Sequence, residues 1–271
     1  MSNIGGRTTV MKRFYRSPLC DVFLFSVVVM LVVWFFARGT ENMGYNWQWK
    51  RIPAFLIRIN EQGLTWGPLM KGLMVTFKIS GISLVLAFTI GLTTALFRLS
   101  DSFVARSIAQ IYLETSRNTP LLIQLFFIYF VAGPVIGLGR FPSAVLALSL
   151  FEGAYASEIF RAGIVSIGRG QQEASYSLGL SALDTYRFII LPQAIRRILP
   201  PLTSQAISLI KDSALVSTIA IYDLTMQAQT LIARTFLTFE LWFTVGAMYL
   251  VLTTILSLFV YYLENRFTVS A

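Results

Sequence analysis

The chain has no histidine and a single cysteine, Cys20. The first absence removes the commonest general base and metal ligand available near neutral pH. The second excludes a disulfide framework or a cysteine-built metal site within one chain. Charge is also scarce: Asp, Glu, Lys and Arg make up 13% of residues, about half of what soluble domains carry. The carboxylates are too dispersed to suggest a metal cluster, and no nucleophile–base pair stands out. A phosphate-cradling Gly-x-x-x-x-Gly-Lys-Ser/Thr loop is missing, so no nucleotide-hydrolysing site of that kind is expected. Aromatics are nowhere interleaved with a dense basic run. The net charge of +9 is therefore not read as a nucleic-acid footprint. Internal repeats, low-complexity tracts and Pro/Ser-rich linkers are absent too.

What the chain has is apolar length. Hydrophobic residues are 55% of the 271, and the mean hydropathy is +0.67. Residues 19–36 form an apolar run close to the ~20 residues a helix needs to cross ~30 Å of hydrocarbon. Arg7, Lys12, Arg13 and Arg16 precede it and hold the N-terminus in the cytoplasm. The run is long for a signal-peptide core and no small-x-small site follows Phe36, so an uncleaved helix is expected. Residues 38–71 read as an external loop with Trp47, Trp49 and Trp66 at the interface and a short surface helix over 52–59.

Further spans are expected over 72–96, 103–135, 142–164, 202–224 and 241–263. Lys78 can snorkel near the outer end of the second. The third is interrupted at Asn118-Thr119-Pro120, where the missing proline N–H predicts a kink. Pro200-Pro201 breaks the start of the fifth, and residues 225–240 read as an external loop. Six spans put both termini on the cytoplasmic side. With Arg106 and Arg161 counted at the inner ends of their spans, twelve Lys and Arg lie on the inner side and seven in outer segments, with Lys78, Arg117 and Lys211 inside spans.

One short polar stretch interrupts this pattern. Glu173-Ala174-Ser175 opens a helical run that Gly179 can end in a left-handed cap. Ser181 can cap a second helix, which Pro192 ends. A helix pair of this kind, held at a membrane surface in water, suits docking of a soluble partner. The spacing is Glu-Ala-Ser, three residues, Gly179, nine residues, Ile189, one residue, Leu191-Pro192. It resembles the signature loop of permease subunits of ATP-binding-cassette (ABC) importers, with Ser175 in place of the usual second alanine. Glu114, Arg117-Asn118-Thr119-Pro120-Leu121 and Gln124 look like the polar amino-acid branch of that family. So do Gly153-Ala154-Tyr155, Glu158, Arg161-Ala162-Gly163-Ile164, Gly170-Gln171, Leu191-Pro192-Gln193-Ala194 and Lys211-Asp212-Ser213. The likeness runs from about residue 69 to 266.

The resemblance implies an all-α integral membrane protein of the type I importer permease fold. Residues 1–71 would be a tail, first helix and external loop added to a five-helix permease core over 72–271, with the coupling loop at about 165–193. It implies a multi-pass subunit of a bacterial inner membrane that binds no cofactor itself. ATP would be consumed by separate ABC ATPase subunits. A second permease subunit, the same or a related chain, would complete the channel, and a periplasmic amino-acid-binding protein would deliver the solute. Nucleic acid is not an expected partner; the lipid bilayer is. The docking residues implied are Glu173, Ala174, Ser175, Gly179, Leu191 and Pro192, and no catalytic residue is assigned. A permease for another small solute, or a transporter driven by an ion gradient, would share the spans; the second gives no reason for the loop's spacing.

Charge at membrane depth costs at least ~2.5 kcal/mol per residue, so the intramembrane charges are candidates for a translocation path: Glu152, Glu114, Arg117, Lys211 and Asp212. Each has a bland reading beside the functional one. Glu158 and Arg161, three apart, read as a structural ion pair. Glu114 and Arg117 share a helical face and can pair. Lys211-Asp212 either lines a polar cavity or pairs with Glu114 or Arg117. Phe126, Phe127 and Phe130 read as lipid-facing surface.

Overall fold

The computed structural model describes residues 18–42, 44–60 and 63–267, in two compact units, 1–48 and 49–271. The four basic residues before the first span lie outside the described residues. In the first unit, α1 (Pro18–Asn42) is a long helix with no buried residue in its apolar window, as a single lipid-facing helix requires. Ser26 returns its hydroxyl to the Val22 carbonyl at 2.8 Å, so even its polar side chain is satisfied by its own helix.

The second unit starts with a 3-10 turn (Trp49–Arg51), the single-turn helix α2 (Pro53–Leu56) and a two-stranded antiparallel hairpin of β1 (Ile57–Asn60) and β2 (Gly63–Trp66). The surface helix expected over 52–59 is therefore only one turn long. Ile57, Arg58 and Ile59 include two β-branched residues that pair across the hairpin with Trp66, Thr65 and Leu64, which suits a strand better than a helix. Gly67 then passes so close to the Phe55 and Leu56 backbone that no side chain fits there.

Helix α3 (Pro68–Leu99) follows, then α4 (Phe103–Arg117) and α5 (Leu121–Ile136), α6 (Arg140–Val165), α7 (Arg169–Ser177), the single turn α8 (Ala182–Asp184), α9 (Leu191–Asp212), α10 (Leu224–Thr235) and α11 (Thr238–Phe267). Pro120 does more than kink the third span: α4 and α5 meet at 107°. Asn118 leaves the helical region at φ −94°, ψ 1° and Pro120 is extended, as a residue that cannot continue a helix requires. Gln124 holds the corner by donating to the Ser116 and Thr119 carbonyls at 2.7 and 2.9 Å.

Three prolines expected to end or break a helix do neither. Residues 182–212 are helical throughout, with a π-helical stretch over Thr185–Ile190. Pro192 sits just after that stretch, at the start of α9, where wider π-type turns leave room for a residue without an N–H. Pro200 and Pro201 lie inside α9, and the Thr203 hydroxyl takes the Pro200 carbonyl at 2.7 Å. The fifth span also ends earlier than expected. A 3-10 stretch covers Ser213–Ile219, Ala220 turns the chain at φ +57°, and the side chain of Asp223 caps α10 by accepting from Met226 N at 2.9 Å. The region read as a loop over 225–240 thus holds a twelve-residue helix.

Among the described residues, α1, α3, α6 and α11 are long and apolar enough to cross a membrane, and the bent α4–α5 pair makes a fifth candidate. Helix α9, expected as a sixth, carries Arg196, Arg197, three prolines, Lys211 and Asp212. It packs against α6 and α11, burying Ala194, Ile198, Leu202 and Leu209.

Helices α3 and α6 form the central seam. They run parallel, because Ser83 meets Ser149 at one level and Gly91 meets Ala156 further along. A Cβ on Gly91 would lie 2.8 Å from the Ala156 Cβ and 3.0 Å from the Gly153 carbonyl. The Ser149 hydroxyl lies 2.6 Å from the Val145 carbonyl and 3.3 Å from the Ser83 carbonyl, and Ser83 reaches Val145 from the other helix at 3.4 Å. Small residues that allow close backbone approach are what binds helices together where lipid removes the hydrophobic drive. On its other side α6 meets α9 antiparallel. A Cβ at Gly163 would overlap the Ile198 side chain, and Arg197 donates to the Ser166 carbonyl at 2.6 Å. We expect Gly163→Ala to destabilise the fold by about 1–3 kcal/mol through overpacking, with most of the loss recovered by adding Ile198→Ala. Thermal unfolding in detergent of the two single variants and the double variant measures this coupling; additive effects would contradict the packing.

Candidate docking loop and intramembrane charge clusters

The polar loop is built as the local sequence dictates. Helix α7 ends at Ser177, and Gly179 takes φ +78°. Its N–H meets the Tyr176 carbonyl at 2.9 Å, and the Leu180 N–H meets the Ser175 carbonyl at 3.1 Å. These two bonds are a Schellman cap. Ser181 caps the following helix by accepting from Asp184 N at 3.2 Å. No atom would touch a Cβ at Gly179. The glycine is therefore required by its left-handed backbone, not by close packing within this chain.

Within the signature, Ser175 is buried and donates its hydroxyl to the Gln171 carbonyl at 2.6 Å. The hydroxyl that replaces an alanine methyl is thus satisfied one turn back. Glu173, Ala174, Gly179, Leu191 and Pro192 are exposed. So are apolar side chains that a free water-facing loop would not favour: Leu178 is 82% and Leu183 76% exposed, with Tyr176, Tyr186 and Phe188 beside them. An exposed apolar patch on a polar loop marks an interaction surface.

The structure divides the intramembrane charges into two clusters. The first centres on Glu158, which takes Arg98 at 2.8 Å, Arg117 at 3.0 Å and Arg161 at 3.3 Å. These come from the end of α3, the end of α4 and the next turn of α6. The expected Glu158–Arg161 pair is present, but it is one arm of a three-arginine hub. The expected Glu114–Arg117 pair is not formed: Arg117 turns to Glu158 and lies 5.9 Å from the Tyr155 ring centre. Glu114 instead accepts from Gln110 and Asn118, each one turn away, at 2.7 and 2.9 Å. A carboxylate that already draws in two other guanidinium groups outcompetes a same-face pair worth only ~0.2–0.5 kcal/mol.

The second cluster is deeper. Glu152, 1% exposed, accepts from Gln205 of α9. Its carboxyl also lies against that of Asp212, which is within electrostatic reach of Lys211. Lys211-Asp212 therefore joins Glu152, not Glu114 or Arg117. Glu152 Oε1 has no hydrogen-bond donor among the described residues. Gly153 next to it leaves the space that the Tyr112 hydroxyl and Ile90 occupy. Gln205, Arg98 and Tyr112 are absent from the sequence-level candidates. Nothing in their local sequence separates them from ordinary helix residues, since their partners lie 38 to 60 positions away. Asp223 is also absent from those candidates. It is fully buried, and an aspartate ahead of an amphipathic run was a legible N-cap signal.

The fold is that of a multi-pass helical membrane protein that carries an exposed helix–turn–helix. The family described as binding-protein-dependent transport system inner membrane component matches residues 87–269. The glutamine transport system permease protein GlnP of Escherichia coli (strain K12) is 38% identical over 201 residues, which cover 73% of this chain and 92% of that protein. The L-cystine transport system permease protein TcyB of Bacillus subtilis is 42% identical over 170 residues, 62% of this chain and 73% of that one. A solved amino acid ABC transporter with histidines is 36% identical and superposes with a TM-score of 0.69, over 73% of this chain and 94% of its own. The MetNI methionine ABC transporter, at 18% identity and a TM-score of 0.62 over 74% and 96% of the two chains, shares the fold. The chain belongs to this family of inner-membrane transport components, and its fold is that of the ABC importer permeases.

The Glu158 hub predicts an order of effects. Glu158→Ala leaves three arginines facing one another, whereas Arg161→Ala leaves the carboxylate with two partners. The first should cost about 1–3 kcal/mol and clearly more than the second. Denaturation of the purified variants in detergent checks the ranking, and an equal cost would refute it.

Proposed function

We propose that this chain is the membrane-spanning permease of an ATP-driven importer that carries polar amino acids, of the glutamate, glutamine or aspartate kind or more generally L-amino acids, across a bacterial inner membrane. Support for the solute class comes from the names of the glutamine and cystine permeases it resembles. On this reading it works as a pair with a second copy or a related chain. A periplasmic binding protein delivers the solute, and separate ATPase subunits hydrolyse ATP. Both termini face the cytoplasm, the 57–66 hairpin faces outward, and the α7–α8 loop faces inward. Residues 72–271 form the permease core, and residues 1–71 are an addition to it. No residue of this chain acts catalytically, and it holds no cofactor.

The observation that carries the proposal is the path from loop to membrane. The exposed apolar face of Tyr176, Leu178 and Leu183 offers an ATPase a grip. The helical residues that begin at Ala182 continue without a break to Asp212, so a push on the loop acts directly on a helix that reaches mid-membrane. Arg197–Ser166 and the Gly163–Ile198 contact pass that motion on to α6. Such rigid-body coupling between two packed states is how a soluble motor moves spanning helices. The Glu152–Gln205–Asp212–Lys211 cluster joins α6 to α9 at depth. It supplies donors and acceptors for a solute with both an ammonium and a carboxylate. In this proposal Glu114 and Arg117 flank the path and do not touch solute.

Gly179 provides the test. Gly179→Asn, which tolerates a left-handed backbone, should retain most uptake. Gly179→Val, strained there by ~1–2 kcal/mol or more, should insert normally yet lose coupling between ATP hydrolysis and uptake. Proteoliposomes reconstituted with the ATPase and binding protein report both quantities, and intact coupling in Gly179→Val would refute the lever. Within the deep cluster, Glu152→Gln should lower uptake at least tenfold, about 1.4 kcal/mol of lost interaction, with the hydrolysis rate preserved. Normal uptake by that variant would remove Glu152 from the path.

A further inference from the structure

Between α3, α9 and α11 lies a cavity of about 320 Å³. Its α3 wall carries Ser80 and Gly81, its α9 wall carries Ala206, Ile207 and Ile210, and α11 supplies a third side through Leu256. Glycines at the helix seams each admit a neighbour: Gly91 the Ala156 Cβ, Gly163 the Ile198 side chain and Gly72 the Asp223 backbone. Gly81 admits none. A Cβ there would have no atom within 4 Å, and its φ is not positive. Glycine inside a helix costs stability relative to alanine, so neither backbone nor packing in this conformation calls for it. Beside it the Ser80 hydroxyl is buried and has no hydrogen-bond partner among the described residues.

The α9 wall of this cavity begins just past Pro200-Pro201. Each proline lacks the N–H that would bond one turn back, so the helix forgoes two consecutive backbone hydrogen bonds there. Helices bend at such points. Before the prolines, Ile198 is pressed against Gly163 and Arg197 donates to the Ser166 carbonyl, which fixes the first half of α9 to α6. After them, the cavity leaves one side of the second half unfilled. Gln205, Lys211 and Asp212 ride on that second half.

On the ATP-driven reading proposed above, we infer that the second half of α9 pivots at Pro200-Pro201 and closes this cavity on Gly81 when the ATPase binds ATP. Gln205 and Asp212 are carried with it, so the deep polar cluster is rearranged in the same step. Gly81 serves the closed state, in which any side chain would stand between α3 and α9. The Ser80 hydroxyl then comes within reach of α9. A lipid tail filling the same space gives no reason for a glycine, because a larger side chain at residue 81 would simply replace part of the tail.

Proteoliposomes holding the full chain with its co-purified ATPase and the binding protein measure uptake and ATP hydrolysis together. Gly81→Leu has room in the present conformation, so its thermal unfolding in detergent should match or exceed that of the unaltered protein. Its uptake and its stimulated ATP hydrolysis should both fall, by about tenfold if the closed state becomes that much rarer. Gly81→Ala should lose less, and adding Ile210→Ala to Gly81→Leu should restore part of the loss by trimming the opposite wall. A cross-link reads the movement without transport. In a Cys20→Ser background, Gly81→Cys with Ile210→Cys is oxidised with and without a non-hydrolysable ATP analogue. The analogue should raise the disulfide yield at least about fivefold, the lower end of ligand coupling, because the two Cβ atoms must approach to about 4 Å. Normal ATP-driven uptake by Gly81→Leu, or a cross-link yield that the analogue leaves unchanged, would overturn the inference and leave the importer reading standing. A Gly81→Leu protein that fails to fold would contradict the open cavity and overturn it too. Uptake by the unaltered protein without ATP would overturn both.

Discussion

Everything in the helical core depends on how closely α3 and α6 approach. In hydrocarbon two helices gain nothing from hiding apolar surface from each other, because lipid tails are equally apolar. Contact must come from packing and from hydrogen bonds. Gly91, Gly153 and Ala156 remove the side chains that would hold the two backbones apart. Ser83 and Ser149 then reach across to backbone carbonyls. With α3 on one side and Ile198 pressed against Gly163 on the other, α6 becomes the axis on which α9 and the bent α4–α5 segment are hung. Over half of the apolar window of α6 is buried, while α11, at the edge, buries 6%.

That central position explains where charge is tolerated. Two of the glutamates read at membrane depth, Glu152 and Glu158, are on α6, and each faces partners supplied by other helices. Glu158 draws Arg98 and Arg117 in from α3 and α4 and so fixes where those two helices end. Glu152 is met by Gln205 and by the Asp212 carboxyl, and it keeps one oxygen without a donor. The first arrangement is closed and reads as a clamp. The second leaves Glu152 Oε1 without a donor among the described residues, and in the proposed reading a passing solute supplies one.

The loop joins this core to the water. Its two helices are held at a set angle by the Schellman cap at Gly179 and by Ser181, devices made entirely of backbone and short polar side chains. The second helix does not end where the proline suggests but continues as α9. In the proposed reading the docking helix and the helix that carries Gln205 and Asp212 are one continuous piece of chain, from Ala182 to Asp212.

Much of this was legible in the amino-acid order itself. Apolar runs of spanning length, the bend at Pro120, the left-handed cap at Gly179 and the serine cap at Ser181 are local matters. They are settled by chain lengths and backbone conformations that act over a few residues. The Glu173-to-Pro192 spacing was enough to indicate the family. Three-dimensional packing alone decided the rest. Whether Pro192 and Pro200-Pro201 stop a helix depends on the π-helical stretch before them and on hydroxyls nearby, not on proline itself. Arg117 chose Glu158 over the nearer Glu114 because three guanidinium groups from separate helices converge on one carboxylate. Lys211-Asp212 was assigned its partner only when α9 was laid antiparallel against α6. Local sequence states what a residue can bond to; at membrane depth, where water offers no alternative, the helix brought opposite decides what it does bond to.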